Sequence, residues 1–513
     1  MQGQKPPPES SLFVYGDPYA RLPRSAFYEA LGKQLDLEWV REATRGLYAE
    51  GVGRPSLDPV VFVKLMLAGY FENLVGDSEL AFRVADSLTV RRFLGYGLEE
   101  ATPERTTILK CRQRWPIEVF EAIFSRVLAH LAKHGLVKGE SMGTDTVLID
   151  ANASMDSLRH RQFGCSYADF VKALYAQHTG AAPAASEIAS QDAARPAKAC
   201  NADWVSTTDP EAAVAVHPDG HTALSYRLDA TVDLDTGAIV QIGAEPGNVR
   251  DSVDLPQRVE EAQQNLAELG LAPTALTGDR GHHSEENLVE LEAQGMTPII
   301  RQRNPQGAPG FRTQDFIYLP QADSYRCPAG VQLRRKEAGR EGQRTRYQAP
   351  GKVCQRCEHF GVCTKASGGR VVGRAAHQEQ LQRNQERVRS PEGRALLGAH
   401  RQRAEGPWSY AKLYGGLARL GPRGLTNAWK KALIQGIGWN LMKLVARLTG
   451  LAPRGRSALA QLLSAWVQFV SAIGAHFHHA RTQIRLQLRL RLSRDRRDQP
   501  QSLSRKCLLS QGC

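Results

Sequence analysis

The chain has 513 residues, 42% of them hydrophobic and 23% charged, and its 66 Lys and Arg outnumber 53 Asp and Glu for a net charge of +13. An apolar content this ordinary over this length fits a globular protein of two to four domains with a large core, and nine cysteines with a CxxC cluster fit a reducing cytosol rather than a disulfide framework. The positive balance points toward a polyanionic partner, most often nucleic acid, with a merely basic enzyme as the bland alternative.

The opening MQGQKPPPESS is polar and Pro-rich with no apolar h-region, so residues 1–20 read as disordered and no signal peptide is expected. Residues 21–140 read as helical. Ser56-Leu57-Asp58-Pro59 starts a helix with Pro preset for its first turn, and an apolar run from Val60 to Ala68 follows. Thr102-Pro103-Glu104 opens a short basic helix over 105–115 carrying Lys110, Arg112 and Arg114. Pro116 stops it, and an amphipathic helix spans 117–134. Short helices ending in a basic one suit a helix-turn-helix that touches DNA; an all-α cap on the next domain is the plainer reading.

Residues 142–154, MGTDTVLIDANAS, alternate. Thr144, Thr146 and Leu148 fall on one side and Asp145, Val147 and Ile149 on the other, in a β-branched run that predicts a strand. A carboxylate in the middle of an apolar strand is costly to bury unless it is paired or holds a metal. Asp150, five residues on, points to the opposite face and is left out of the candidate set. Residues 156–222 read as an insertion, Ala-rich over 181–198 and irregular over 203–218. Two β runs, 224–233 and 238–244, are joined by a Leu234-Asp235-Thr236-Gly237 turn. A helix over 252–269, a short strand over 274–277 ending at Gly278-Asp279-Arg280-Gly281, a helix over 284–294 and a strand over 297–301 come next.

Residues 302–390 are polar and Gly/Pro-rich with short β-like runs, and hold Cys327, Cys354, Cys357 and Cys363. The Cys354-x2-Cys357 pair has the spacing of two ligands to a tetrahedral structural Zn²⁺, with Cys327 and Cys363 as the remaining candidates; free thiols in a small β insert are the alternative. Helices return over 391–404 and 425–448. Residues 457–480 lack Lys, Arg, Asp and Glu but contain Gln461, Gln468, Gly474 and three His, which argues for buried helices over a membrane span. From Arg481 the tail carries nine Lys or Arg against two Asp.

Three separated carboxylates stand out by context: Asp145 mid-strand, Asp279 at a strand end and Glu405 in a helix. Sequence-distant carboxylates of this kind suit two oxygen-ligated metal ions about 4 Å apart. At this point the sequence resembles the DDE transposases of bacterial insertion sequences, in particular the group with a long β-rich insertion between the second Asp and the Glu. The matching segments are Gly53-Arg54-Pro55-Ser56 with Asp58-Pro59, Arg92-Phe93-Leu94-Gly95, Thr102 through Thr107, Asp145-Thr146 through Ala151-Asn152-Ala153-Ser154, Asp279-Arg280-Gly281-His282, and Arg401, Glu405 and Lys412. Where that group has Asp-Lys-Gly-Tyr, this chain has Asp279-Arg280-Gly281-His282. Where it has a Tyr three residues before the Arg, Gly398 stands here. His282 and His283 read either as flanking the metal site or as a solvated pair, the solvated pair being the plainer reading.

The resemblance implies an α/β fold: an RNase H-like mixed-sheet catalytic core (141–301 and 391–450) behind an N-terminal all-α DNA-binding domain (21–140), with a β-rich Cys-containing insertion (302–390) and a basic tail (451–513). It implies that Asp145, Asp279 and Glu405 hold two Mg²⁺, for which Mn²⁺ substitutes, and that Arg401 and Lys412 grip the phosphate near the scissile bond. Lys110, Arg112 and Arg114 would hold terminal inverted repeats. The expected partners are double-stranded DNA at the element ends and target, and a second copy of the chain on DNA. The expected location is the bacterial cytoplasm, at the nucleoid. A catalytically silent DNA-binding protein and a nuclease of the same fold are the competing functions.

Overall fold

Among the described residues, the N-terminal part folds as seven α-helices: α1 Ala26–Gln34, α2 Glu38–Thr44, α3 Pro59–Phe71, α4 Asp77–Asp86, α5 Leu88–Leu94, α6 Arg105–Arg114 and α7 Ile117–Lys133. The computed structural model of the protein describes residues 2–4, 25–49, 51, 53, 55–179, 187, 190, 192, 201–302, 311–337 and 344–451. Helix α3 starts where the sequence places it. Pro59 occupies the first turn, and Asp58 Oδ1 accepts from Val60 N at 2.8 Å, a cap worth about 1 kcal/mol. Twelve of its thirteen residues are buried, so it is a core helix rather than a surface one. Trp115, fully buried, packs edge-on against Phe62 and donates to Tyr48 Oη at 2.9 Å.

The expected strand is β1, Ser141–Asp150. Residues 156–222 hold the short β2 Leu158–His160, α8 Tyr167–Thr179, β3 Trp204–Ser206 and β4 Ala213–Val216. The Ala-rich 181–198 stretch lies mostly outside the described residues. The stretch expected to be irregular is corrected by β3 and β4, which fall within it. β3 pairs with β2, and β4 joins the main sheet, so the insertion ends before residue 213. Both strands are too short for alternation to show in the sequence.

The predicted hairpin is β5 Thr222–Asp233 and β6 Ile239–Pro246. Its turn uses Gly237 at φ +70°, a conformation that favours glycine, and Asp233 Oδ1 accepts from Asp235 N and Thr236 N. Then come α9 Leu255–Ala267, β7 Ala275–Gly278, α10 Glu285–Ala293 and β8 Thr297–Ile300. β1 lies antiparallel to β5 and parallel to β7, β7 is parallel to β8, and β4 and β6 both pair antiparallel with β5. The main sheet therefore runs β6/β4–β5–β1–β7–β8, with β1 at its centre.

A separate antiparallel sheet comes next in strict meander order: β9 Ile317–Leu319, β10 Ser324–Arg326, β11 Gln332–Glu337, β12 Thr345–Gln348 and β13 Val371–Arg374, with the short α11 Gly351–Gln355 between the last two strands. It has its own small core of Phe316, Tyr325, Leu333, Tyr347 and Val372. The last helices are α12 Gln378–Arg389, α13 Pro391–Arg403, α14 Glu405–Tyr414 and α15 Leu425–Thr449. Helix α12 packs on β8 and α10 of the main sheet, so the β-rich segment closes before residue 378 rather than at 390.

Helix α15 lies between the N-terminal helices and the main sheet, packed on α7 and β6. That closeness needs glycine: a Cβ on Gly436 would sit 3.1 Å from Phe124 and 3.3 Å from Ile242, and one on Gly438 would overlap the Tyr70 ring. Two outer strands of the sheet, β6 and β8, are each met by a buried asparagine. Asn440 of α15 accepts from Ile239 N at 2.9 Å and donates to Ile239 O at 2.8 Å on β6. Asn384 of α12 accepts from Ile300 N at 3.0 Å and donates to Ile300 O at 2.7 Å on β8. Each satisfies two main-chain groups that a flanking strand would otherwise have paired. Among the described residues no helix is long and apolar enough to cross a membrane. The 457–480 segment and the basic tail lie outside the described residues.

Candidate active site

The parallel register of β1 and β7 brings two carboxylates together. Thr144 pairs with Gly278, so Asp145 and Asp279, one residue further along each chain, sit side by side where β7 ends. Neighbouring strands are about 4.8 Å apart, and residues in register on parallel strands face the same side of the sheet. Glu405 arrives from elsewhere, as the first residue of α14. Helices α13 and α14 are separated only by Ala404, itself at helical dihedrals (φ −80°, ψ −42°). The interruption follows from Pro407, which has no N–H to offer the preceding turn but is tolerated in the first turn of α14. Trp408, buried on the same helix, donates its Nε1–H to Asp145 O at 3.3 Å and fixes α14 along β1.

Electrostatics tie the three together. Burial, aided by the charges of Asp279, Glu405 and Asp251 and opposed by a hydrogen bond from the Thr146 backbone, raises the Asp145 carboxyl from 3.8 to about 7. Asp279 moves the other way. Burial pushes it up, but hydrogen bonds from His282 Nδ1 (2.6 Å), Gly281 N (2.8 Å) and His282 N more than offset that and hold it below its ordinary value. One carboxyl is thus held toward its neutral form beside one held ionised, as repulsion among clustered carboxylates requires.

Two more residues belong to this cluster, Asp251, which the sequence does not announce, and His282, whose plainer sequence reading is a solvated one. Asp251, in the loop between β6 and α9, accepts from Thr146 Oγ1 at 2.8 Å. A Cβ on Gly281 would overlap Asp251 Oδ2 and stand 3.0 Å from Asp279 Oδ1, so both carboxylates crowd the space over that glycine. Its one sequence signal is an Asp just before a predicted helix, which reads as a cap. His282, expected to be solvated, is fully buried, because its imidazole is the hydrogen-bonding support of Asp279. His400 lies behind it. Its Nδ1 is 2.9 Å from Thr277 Oγ1, and burial lowers its pKa to about 4, leaving it neutral.

The cations divide. Arg401, at the end of α13, and Lys412, in the last turn of α14, are exposed. Offsets of four and seven put them on the Glu405 side of this helical run. Lys110 and Arg114 of α6 are exposed as expected, with Arg114 over the Tyr48 ring at 4.8 Å. Arg112 is a correction. It is buried and bidentate to Asp77 at 2.6 Å on both nitrogens, so it holds α6 to α4 and is not presented to a partner. The four cysteines Cys327, Cys354, Cys357 and Cys363 all line one cavity of about 30 Å³ at the edge of the meander sheet, with no disulfide among them. Elsewhere, the ligand atoms of Asp150, His217 and His221 lie within 4.8 Å of one another.

Two family models match the chain. Residues 17–114 match a transposase domain (DUF772), which spans the helices α1 to α6, and residues 326–445 match a transposase DDE domain, which contains Glu405. The protein is therefore a transposase. More particularly, it belongs to the DDE group and is a DNA transposase enzyme of that type. No curated protein matches the sequence. Among solved structures, the chain has a remote likeness to a piggyBac transposase synaptic complex with hairpin DNA, at 8% identity and a TM-score of 0.28, over 84% of this chain and 76% of that one.

Proposed function

We propose that the protein is the transposase of a bacterial insertion sequence, which binds the terminal inverted repeats of its element, cuts DNA there and joins the ends to target DNA. The observation that carries this reading is the convergence of Asp145, Asp279 and Glu405 from three sequence-distant elements, with Asp251 as a fourth carboxylate. The sheet order β6–β5–β1–β7–β8, antiparallel on one side of β1 and parallel on the other, supports an RNase H-like core.

An all-oxygen donor set of this kind fits Mg²⁺ or Mn²⁺. Asp145, Asp279 and Glu405 would hold two such ions, which when bound supply activation of the attacking oxygen and neutralisation of charge on the leaving one. The protein's own groups do the rest. His282 holds Asp279 ionised and correctly turned, and Trp408 sets the height of Glu405 along β1. Thr146 orients Asp251. Arg401 and Lys412, exposed on the Glu405 side, grip the DNA phosphates flanking the reacting one. Lys110 and Arg114 on α6 contact the repeat DNA. The four cysteines take a structural Zn²⁺ that holds the meander sheet together, a role their shared small cavity supports. The protein acts as a homodimer with one active site per element end, at the nucleoid.

The test is to incubate the purified protein and Mg²⁺ with linear DNA carrying the flanks of its own gene, beside Glu405→Gln. Specific cuts at both flanks, and joined products with added target DNA, both lost in the variant, are expected. Cutting without joining identifies a nuclease. Flank binding without cutting identifies a silent DNA-binding protein. Either refutes the proposal.

A further inference from the structure

A second cluster of metal-ligating side chains lies away from these carboxylates. Asp150 ends β1, five residues beyond Asp145, about 17 Å along the strand. His217 and His221 bracket the tight turn between β4 and β5, closed by Gly220 at φ +92° and by His217 N donating to His221 O at 2.8 Å. The turn folds back so that both rings aim at one atom. His217 Nε2 is 3.1 Å and His221 Nε2 is 3.2 Å from the same Asp150 Oδ1. The rings stack with centroids 4.1 Å apart at 23°.

The surroundings are those of a ligand set. On the far side of His221, Nδ1 lies 2.8 Å from Asp219 Oδ1. A carboxylate there fixes the orientation of the His221 ring with Nε2 toward Asp150, the arrangement by which metal-ligating histidines are oriented. His217 is buried, with Ser225 Oγ at 2.8 Å from the same Nε2. The cluster is anchored on the sheet: Asp150 O accepts from Leu420 N at 2.9 Å and Asp150 pairs with Ser225 across β1 and β5.

We propose that Asp150, His217 and His221 bind a divalent cation of intermediate softness, Zn²⁺ or a neighbour of it, which clips the β4–β5 turn to the end of the catalytic strand β1. Two imidazoles and a carboxylate suit that class of ion and not Mg²⁺, which prefers oxygen alone. The clip is independent of the carboxylate cluster and of the transposase reading.

Co²⁺ is the probe, with excess Mg²⁺ present to occupy the all-oxygen site. Thiolate ligation to Co²⁺ gives a charge-transfer absorption that nitrogen and oxygen ligation lacks, so the cysteine site is read separately. The wild-type chain should retain one more Co²⁺ than His217→Gln/His221→Gln, while the thiolate band is the same in both. Equal Co²⁺ content in the two proteins overturns the proposal. Asp219→Asn, which leaves the ligands in place, should weaken Co²⁺ binding at the non-thiolate site by about 10- to 100-fold. An unchanged affinity in that variant overturns the assignment even where the double variant fails to fold. In the wild type, adding Zn²⁺ should slow amide exchange across 217–221; no change there also counts against the clip.

Discussion

Asp145→Asn should make the metal-free protein more stable while abolishing its chemistry. In the folded chain the Asp145 carboxyl is raised from 3.8 to about 7, chiefly by burial and then by neighbouring carboxylates. A folded-state pKa above the unfolded one is a stability that is intact at low pH and lost as pH rises. The unfolded chain releases this proton above pH 3.8, while the folded chain holds it until about 7. At about 1.4 kcal/mol per pH unit the full interval sets a ceiling near 4 kcal/mol. The cleft is partly open to solvent, which screens the repulsion and brings the expected gain to about 2 kcal/mol. Asparagine keeps the shape and has no proton to lose. Thermal unfolding of both proteins in EDTA should show the variant ahead by its full margin at pH 8, by about half near pH 5.5, and by nothing at pH 4. Saturating Mg²⁺ should close the gap at pH 8 by stabilising the wild type alone. A variant less stable than wild type at pH 8, or a margin that does not shrink on acidification, would refute the account of Asp145 as a carboxylate held against its own charge.

Asp251→Asn should lower Mg²⁺-dependent cutting by at least about 10-fold with flank binding unchanged, because Asp251 touches the cluster and not the basic surface; gel-shift and nicking assays on one preparation separate the two. Arg112→Met should cost about 3–5 kcal/mol in stability by stranding Asp77, whereas Lys110→Ala and Arg114→Ala should leave stability alone and each lower the salt slope of DNA binding by about one. Asn440→Ala should cost about 2–4 kcal/mol in chemical denaturation, since the Ile239 N–H and C=O are left buried and unpaired. Removing Zn²⁺ with a strong chelator should expose the 317–374 sheet to protease while 25–134 stays intact; equal protection before and after would remove zinc from that sheet.

Most of the scaffold is legible in the sequence where a segment is long or its ends are marked. β1, the β5–β6 hairpin and the helices α3, α6, α7 and α9 fall within a few residues of their expected bounds. The second carboxylate can be found because a strand ending in Gly278-Asp279 has a local signature. Asp251 has none, since its role exists only once β1, β7 and the 247–254 loop meet. The burial of Arg112 is visible in the sequence once its neighbours are weighed with its charge: Ile108, Cys111, Arg112 and Trp115 follow the spacing of one buried helical face. β3 and β4 escape a sequence reading because three or four residues are too few for a period, and their pairing is decided by partners distant in sequence. His282 escapes for a related reason: a pair of histidines looks solvated until the carboxylate it supports is in place.

The two asparagines that close the main sheet have a consequence for synthesis. β8, the last strand of that sheet, is complete at residue 300, yet the residues that close its outer strands are Asn384 and Asn440. At about 5–20 residues per second, the growing chain spends roughly 7–28 s with a finished sheet in which Ile239 of β6 still lacks its Asn440 partner. During that interval a second nascent chain from the same message is the nearest source of a complementary strand. Fragments that stop in the 300s keep both flanks open permanently. Interrupted copies of this gene are therefore expected to yield self-associating products rather than small soluble ones, and the C-terminal helices serve the sheet as its terminators as well as carrying Glu405.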